Sequence, residues 1–436
     1  MKSYFISDVL RNKPFHENVT LYCWISNKSV YKDFFYLKVV DSTGEVGVIV
    51  KNNSLQEYEL ANIRELPCES SVKVIGRAKI NSAGDLELLA ERVEIINTAS
   101  KPLSPRPRQA FDILSNKYTN YILNNRHLFV RNPKVACILK SRYILKRVFQ
   151  NWFEENGFIE IDTPLLTQTT LYDDNSTFSV DYFGTTVYLS QCASLYLESA
   201  MYAFERVYTI TPAFRAEKSR SSRHNPEFFH VKGQIAFCDV EDMMSFIEKM
   251  LCEIALEFYK RAIKEIKVLG VEVDSSFLDS SFPRVTYREV EEILNSAGVP
   301  MGKDQSLSSK HEAVLKEYFK TPFFVTGLPK STEPFPYATF DEDYTLTADL
   351  IAPGGYGEIL GIAQFITDSD ELKRRLLEKG KLNSRFEWYQ ELLTYGAVPH
   401  CGFGLGFERL LRWLLKLPHI RDTFAFPRLY NRKPYP

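Results

Sequence analysis

Between residues 18 and 98, apolar and polar positions alternate in five short runs: VTLYCWI, FFYLKVV, GEVGVIV, SSVKVIGRAKI and DLELLAERVEII. A period of two sends every second side chain to the same face, the pattern of a half-buried strand. Ser42-Thr43-Gly44 and Ser82-Ala83-Gly84 supply turns between runs. Five short strands at this spacing predict an OB-type β-barrel within residues 1–100. From residue 134 the period changes. Helix-like spacing covers 134–156, 240–266, 286–297 and 309–319, and strand-like runs fall at 186–190, 206–214, 227–237, 346–351 and 402–407. This mixture predicts one large α+β unit over 134–436. The proline-rich, basic KPLSPRPR at 101–108 reads as a stiff exposed stretch, so 101–133 is expected to act as a linker or hinge.

Composition narrows the class without naming a function. At 436 residues the chain exceeds one ordinary domain, and 44% hydrophobic with 25% charged residues fits a folded protein with ample core. A net charge of −1 announces no nucleic-acid partner, so any such surface has to be local. The seven cysteines (23, 68, 137, 192, 238, 252 and 401) contain no CxxC pair, which predicts reduced, mostly buried thiols of a cytoplasmic protein rather than zinc ligands or disulfides. MKSYFISDVL lacks the apolar stretch and cleavage site of a signal peptide, and no run is long enough to cross a bilayer.

Three runs carry candidate chemistry. GFGLGFERL at 402–410 is a glycine-rich strand that opens into an amphipathic segment with Arg409 on its first turn. Glycine lets backbone approach a flat ligand, and an arginine there can cover a nucleobase or pair with a phosphate. FRAEKSRSSRH at 214–224 places Arg215 and Glu217 two apart on an expected strand, then Arg223 and His224 on an expected returning strand. Such a hairpin suits a triphosphate, because arginine binds phosphate oxygens in pairs; a merely solvated charged hairpin reads equally well from this run alone. GFIEIDTPLL at 157–166 follows the 134–156 segment and ends at a strand-halting proline.

In this order and spacing the three runs resemble motifs 1, 2 and 3 of class II aminoacyl-tRNA synthetases, over nearly the whole chain. FEWYQELLTYGAVPHCGFGLGFERL (386–410), with Phe403 and Phe407, and the ending IRDTFAFPR (420–428) look most like the asparaginyl members. The resemblance implies an antiparallel sheet flanked by helices, dimerisation through motif 1, and attack of a carboxylate on the α-phosphate of ATP to give an acyl-adenylate. It implies that Arg215 bridges α-phosphate and carboxylate and that Arg223 and His224 hold the outer phosphates. Phe228 and Arg409 then enclose adenine, Glu217 meets its amino group, and Asp349 and Glu358 hold Mg²⁺.

The substrate half departs from the family pattern. The glutamate expected to receive an α-amino group falls on Tyr172, with Asp173 or Asp174 as substitutes if the loop is shifted. The glutamine of the SxQLYxE pattern is Ser194, although Glu198 remains. The acid-x-acid after motif 2 is Lys232-Gly233-Gln234, and the Gln-Arg after the metal glutamate is Gln364-Phe365. The two carboxylates expected to face an ammonium group are lost, a lysine is gained, and an arginine becomes aromatic. An α-ammonium beside Lys232 would be repelled by a few kcal/mol at close range, on the order expected for like charges near a protein surface. A lysine in a closed pocket is expected to stay charged only beside an anionic partner supplied by the ligand.

In the barrel, the family's base-stacking aromatic maps to Tyr36 and its base-reading glutamine to Gly47, which carries no side-chain hydrogen bonds. Phe34, Phe35 and Tyr36 serve equally as barrel core and wall, and Lys28 and Lys32 offer phosphate contacts. Three functions compete: an asparaginyl-tRNA synthetase with a divergent pocket, a paralogue that adenylates another carboxylate for tRNA, an amine or a protein, and a silent binding module. The intact ATP positions favour an enzyme, and the altered pocket favours the paralogue.

Overall fold

The alternating runs of 18–98 close on themselves. β1 (Asn18–Val30), β2 (Phe34–Val40), β3 (Glu45–Lys51), β4 (Ser71–Ile80) and β5 (Leu86–Asn97) form a closed barrel in the order β1-β2-β3-β5-β4. Antiparallel pairing runs throughout except at the seam, where β3 and β5 pair in parallel from Gly47–Glu87 to Ile49–Leu89. Inward positions such as Val19, Leu21, Leu37, Val39, Val48, Val74 and Leu88 are fully buried, so the period-two pattern of the sequence is the lining of the barrel. This computed structural model describes residues 4–101, 103–219, 221–302 and 304–436.

Two compact units emerge, residues 1–133 and 134–436. The stretch expected to be exposed is half-buried within the first unit. Arg108 pairs with Glu69 and sits 5.1 Å over the Trp24 ring, and Asn132 Nδ2 donates to Pro107 O. Prolines bar regular structure there, yet the aliphatic part of arginine still packs. Short helices Thr119–Asn124 and Arg126–Phe129 follow, burying Ile122, Leu123 and Phe129. Pro102 lies outside the described residues.

The second unit is built on an eight-stranded sheet. Its strands are β6 (Ile159–Glu160), β10 (Arg206–Phe214), β11 (Glu227–Ala236), β12 (Arg284–Thr286), β13 (Phe323–Thr326), β14 (Thr347–Ala352), β15 (Gly357–Gln364) and β16 (His400–Gly406). The order is β12-β13-β14-β15-β16-β11-β10-β6, antiparallel at the centre and parallel at both edges. A separate three-stranded sheet joins β7 (Leu166–Thr167), β9 (Thr185–Leu189) and β8 (Ser179–Tyr182). Helix Val240–Arg261 buries Met243, Met244, Ile247, Met250, Leu251, Ile254 and Phe258, the three-and-four spacing of one apolar face. Asp239 caps it by accepting from Asp242 N–H. The helical pattern of 240–266 is broken at Ala262, where a second helix, Ile263–Leu269, begins.

Candidate active site

β11 and β16 pair with Lys232 opposite Gly404 and His230 opposite Gly406. β16 runs straight into helix Phe407–Leu414, which places Arg409 on the first turn beyond the strand. Buried Glu408 anchors that turn: Oε2 accepts from Phe229 N–H at 2.9 Å, and Oε1 lies 2.6 Å from Arg142 Nη1. Arg409 then reaches β15, donating through Nη1 to Glu358 O at 2.9 Å and pairing with Glu358 Oε2 at 3.2 Å. A cavity of about 270 Å³ opens beside it, lined by Arg215, Glu217, Arg223, His224, Phe228, His230, Glu358 and Arg409 among others. The structure therefore gathers the six nucleotide-site residues expected from sequence around one space.

Their local conformation differs from the expected hairpin. β10 ends at Phe214 and β11 starts at Glu227, so Arg215, Glu217, Arg223 and His224 lie in the connecting loop. AEKSRSSRHNP has no alternating apolar side chains to bury, and among its described residues the ladder extends by Arg215 N–H to Pro226 O. Arg215 is held over the Tyr172 ring, 4.3 Å from its centroid, and 5.7 Å from that of Phe228. Arg223 pairs with buried Glu312 and donates to Leu307 O. His224 Nδ1 bonds Ser219 and Ser221, and Nε2 faces Arg409 Nη2 at 3.4 Å. Burial, then the charges of Arg409 and Arg223, push His224 down to about 4. It is neutral at pH 7, Nε2 accepts from Arg409, and among the described residues the positive charge lining this cavity comes from arginines.

Asp349 on β14 and Glu358 on β15 stand on neighbouring strands. Burial, then Glu358 and Glu333, push the Asp349 carboxyl far above its usual range. Burial would also raise Glu358, but Arg409 and Arg215 outweigh it and keep this carboxylate ionised. Half-buried Glu333 is pushed up to about 7, by burial first and Glu358 second. Carboxyl groups in mutual repulsion fit a hard divalent cation. Among the described residues no three His, Cys, Asp or Glu converge as a metal cage. Two carboxylates completed by phosphate oxygens and water is the manner in which Mg²⁺ is commonly held.

The substrate half forms a tighter cluster. Lys232 is 6% exposed and lies flat on Gly404, where an added Cβ would stand 2.7 Å from its Cε and Nζ. Its Nζ donates to Ser194 Oγ at 3.0 Å. Burial works against the ammonium, yet Cys192 and Tyr172 hold its pKa above the ordinary value. Gln234 Nε2 donates to Ser194 O at 3.2 Å. Phe365 stacks on His400 at 5.1 Å and meets Tyr337 edge-on at 5.5 Å. Beneath it, Glu198 Oε2 accepts from Tyr389 OH at 2.7 Å, and Oε1 pairs with His400 Nε2 at 3.4 Å. Gln364 does not join this cluster, because its Oε1 accepts from Val240 N–H.

Neither candidate substitute carboxylate is free. Asp173 caps its own turn by accepting from Asn175 N–H. Asp174 binds Thr170, Lys381 Nζ at 2.6 Å and Arg385 Nη2 at 3.1 Å. Burial would raise the Asp174 carboxyl, but the Lys381 and Thr170 hydrogen bonds outweigh it and bring it from 3.8 to about 2. A depressed pKa stabilises the fold above the unfolded value, and that contribution vanishes as pH falls through the folded one. Asp174→Asn is therefore expected to lower the melting temperature at pH 7, with the gap to the unmutated protein closing between about pH 4 and pH 2. A gap that persists at pH 2 in thermal melts would show that the ion pairs contribute nothing.

Comparison with known proteins decides the family. Residues 118–430 match the model described as tRNA synthetases class II (D, K and N). The chain belongs to the class II tRNA synthetases. Asparagine--tRNA ligase of Pyrococcus furiosus is 37% identical over 419 residues, 94% of this chain and 95% of that protein. That of Desulforamulus reducens is 35% identical over 427 residues, 96% and 97%. The asparaginyl-tRNA synthetase of Pyrococcus horikoshii, solved with asparaginyl-adenylate, superposes with a TM-score of 0.92 at 36% identity, covering 99% of each chain. This synthetase-family chain is thus an ATP-dependent ligase of the adenylate-forming type, most similar to asparaginyl members. Among the described residues no helix is long and apolar enough to cross a membrane.

In the barrel of this class II chain, Tyr36 lies across Gly47 so closely that a Cβ there would collide with its phenol. Phe35 is core at 1% exposure, whereas Phe34 stacks on Tyr31 at 4.6 Å. Lys28 corrects the expectation of a phosphate contact. Its Nζ caps helix Glu57–Glu65, donating to the carbonyls of Ile63, Arg64 and Leu66. Sequence reasoning missed Glu312, Glu333, Tyr337 and His230. His230 was legible, since it shares a strand face with Lys232 and Gln234; the others come from distant segments with no pattern linking them.

Proposed function

We propose that this ligase adenylates a carboxylate recognised without an α-ammonium group, and transfers it to an acceptor. One observation carries the reading: the buried Lys232 ammonium, tied to Ser194, stands where the family resemblance implies a carboxylate. Arg215, lining the cavity and packed on Tyr172, orients the attacking carboxylate and neutralises the α-phosphate. Arg223 holds the outer phosphates with neutral His224 as a hydrogen-bonding neighbour, and Phe228 and Arg409 enclose adenine with Glu217 at its rim. Asp349 and Glu358 would hold Mg²⁺, which would supply neutralisation of phosphate charge. The work of the side chains is orientation and charge stabilisation in a preformed site. A cytoplasmic homodimer formed through the motif 1 segment belongs to this proposal. Exposed Ile159, Leu165 and Leu166 support the dimer, and its mass in solution checks it.

Asparagine is expected to be a poor substrate. A like-charge contact at about 4 Å costs ~4 kcal/mol at an effective dielectric constant of 20, roughly a thousandfold in rate or affinity. ATP–pyrophosphate exchange over a panel of carboxylic acids, with and without tRNA, measures this. The second reading, an asparagine–tRNA ligase, is favoured by the match along almost the whole length of its curated relatives. Robust asparagine-dependent exchange decides for it and against the altered pocket.

A further inference from the structure

Cys192 belongs to the substrate cluster and has no role in the reading above. Its Sγ lies 3.0 Å from Ser194 Oγ and 3.4 Å from Ser194 N, the first backbone N–H of helix Ser194–Phe204. Lysine can only donate hydrogen bonds, so Lys232 gives a proton to Ser194 Oγ, and the serine hydroxyl is left to point its own proton at sulfur. Sulfur then receives two hydrogen bonds at the start of a helix, beside an ammonium group, an arrangement that favours thiolate. Burial alone would raise the thiol pKa; Lys232 and the Ser194 contacts outweigh it and lower it. The residue as a whole is half-buried.

A second feature is independent of the thiol. His230 and Gln234 flank Lys232 on the same face of β11, at 7% and 1% exposure. His230 Nδ1 and Gln234 Oε1 have no hydrogen-bond partner, though both are buried. Buried polar atoms normally find partners, so two orphans flanking one lysine mark where a ligand's polar groups go. His230 also lines the cavity that Arg215 faces.

Resting on the ligase reading, we propose that Cys192 is an acyl-accepting nucleophile, taking the activated group from the adenylate as a thioester before the final acceptor arrives. The thiolate attacks the acyl carbonyl carbon and forms the C–S bond. The bond from that carbon to the phosphate oxygen breaks, and AMP leaves with the electron pair. Lys232 and Ser194 are positioning residues that keep the sulfur deprotonated. AMP can then depart while the acyl group stays on the protein.

The test uses the full chain and chemically prepared acetyl-adenylate, which needs no knowledge of the natural acid. Intact mass and peptide mapping are expected to find one acetyl group on Cys192, released by neutral hydroxylamine. Cys192→Ala abolishes it, and Lys232→Met slows its appearance by about tenfold, because the thiolate fraction falls. Cys192→Ser should bind Mg-ATP normally in calorimetry while losing the rapid acetylation, which separates loss of the nucleophile from loss of the fold. Acetylation confined to lysines, or none, in a protein that binds Mg-ATP overturns the thioester and leaves the ligase intact. Failure of the unmutated protein to bind Mg-ATP overturns the ligase reading itself.

Discussion

Arg409→Ala is expected to weaken Mg-ATP binding about a hundredfold and to end adenylate formation. A charge-assisted hydrogen bond contributes about 1.5–3 kcal/mol, and each 1.4 kcal/mol is roughly tenfold. The guanidinium does more than bind ligand. It neutralises Glu358 at 3.2 Å and donates toward His224. Without it, an ionised Glu358 faces the incoming triphosphate, so attraction is replaced by repulsion. Arg215→Ala should leave most of the ATP affinity but lower pyrophosphate exchange by on the order of a thousandfold, since its charge matters most where negative charge develops. Calorimetry of the two variants beside the unmutated protein separates binding from chemistry. Equal ATP affinity in Arg409→Ala would remove that residue from the nucleotide site.

Lys232→Glu should be the most damaging single change in the substrate half. The new carboxylate would be buried against Ser194, with Cys192 and Tyr172 close by and Arg215 as the nearby positive charge. Breaking a buried charged pair costs about 3–5 kcal/mol, and exchange on the native acid should fall by a comparable factor, on the order of a hundredfold or more. Lys232→Met keeps most of the volume without the charge and serves as the control for folding. Part of the binding of α-amino acids should return in the glutamate variant, with Phe365 and Ser194 still limiting asparagine. Unchanged exchange combined with weaker, less salt-dependent RNA binding would instead assign Lys232 to tRNA phosphate. Its 6% exposure argues against that outcome.

What the sequence determined by itself is what repeats locally. Alternation over 18–98 is sufficient for the barrel, because inward and outward positions are set by the pleat whatever the neighbours are. The runs at 214–224 and 402–410 hold five of the six residues that the structure gathers around the cavity, and the resemblance carried by those runs marked them as nucleotide-site candidates. The tertiary structure decided everything that depends on partners from far along the chain. Arg223 meets Glu312, Arg409 meets both Glu358 and His224, and Phe365 stacks on His400. Such contacts fix whether a histidine is charged and whether an aspartate is free to take a ligand. They also brought Cys192 to Lys232 through one serine, a contact that neither stretch of sequence signals although both depart from the family pattern. Charge and hydrogen bonding act through distances in space, and a chain read in order carries periodicity but not those distances.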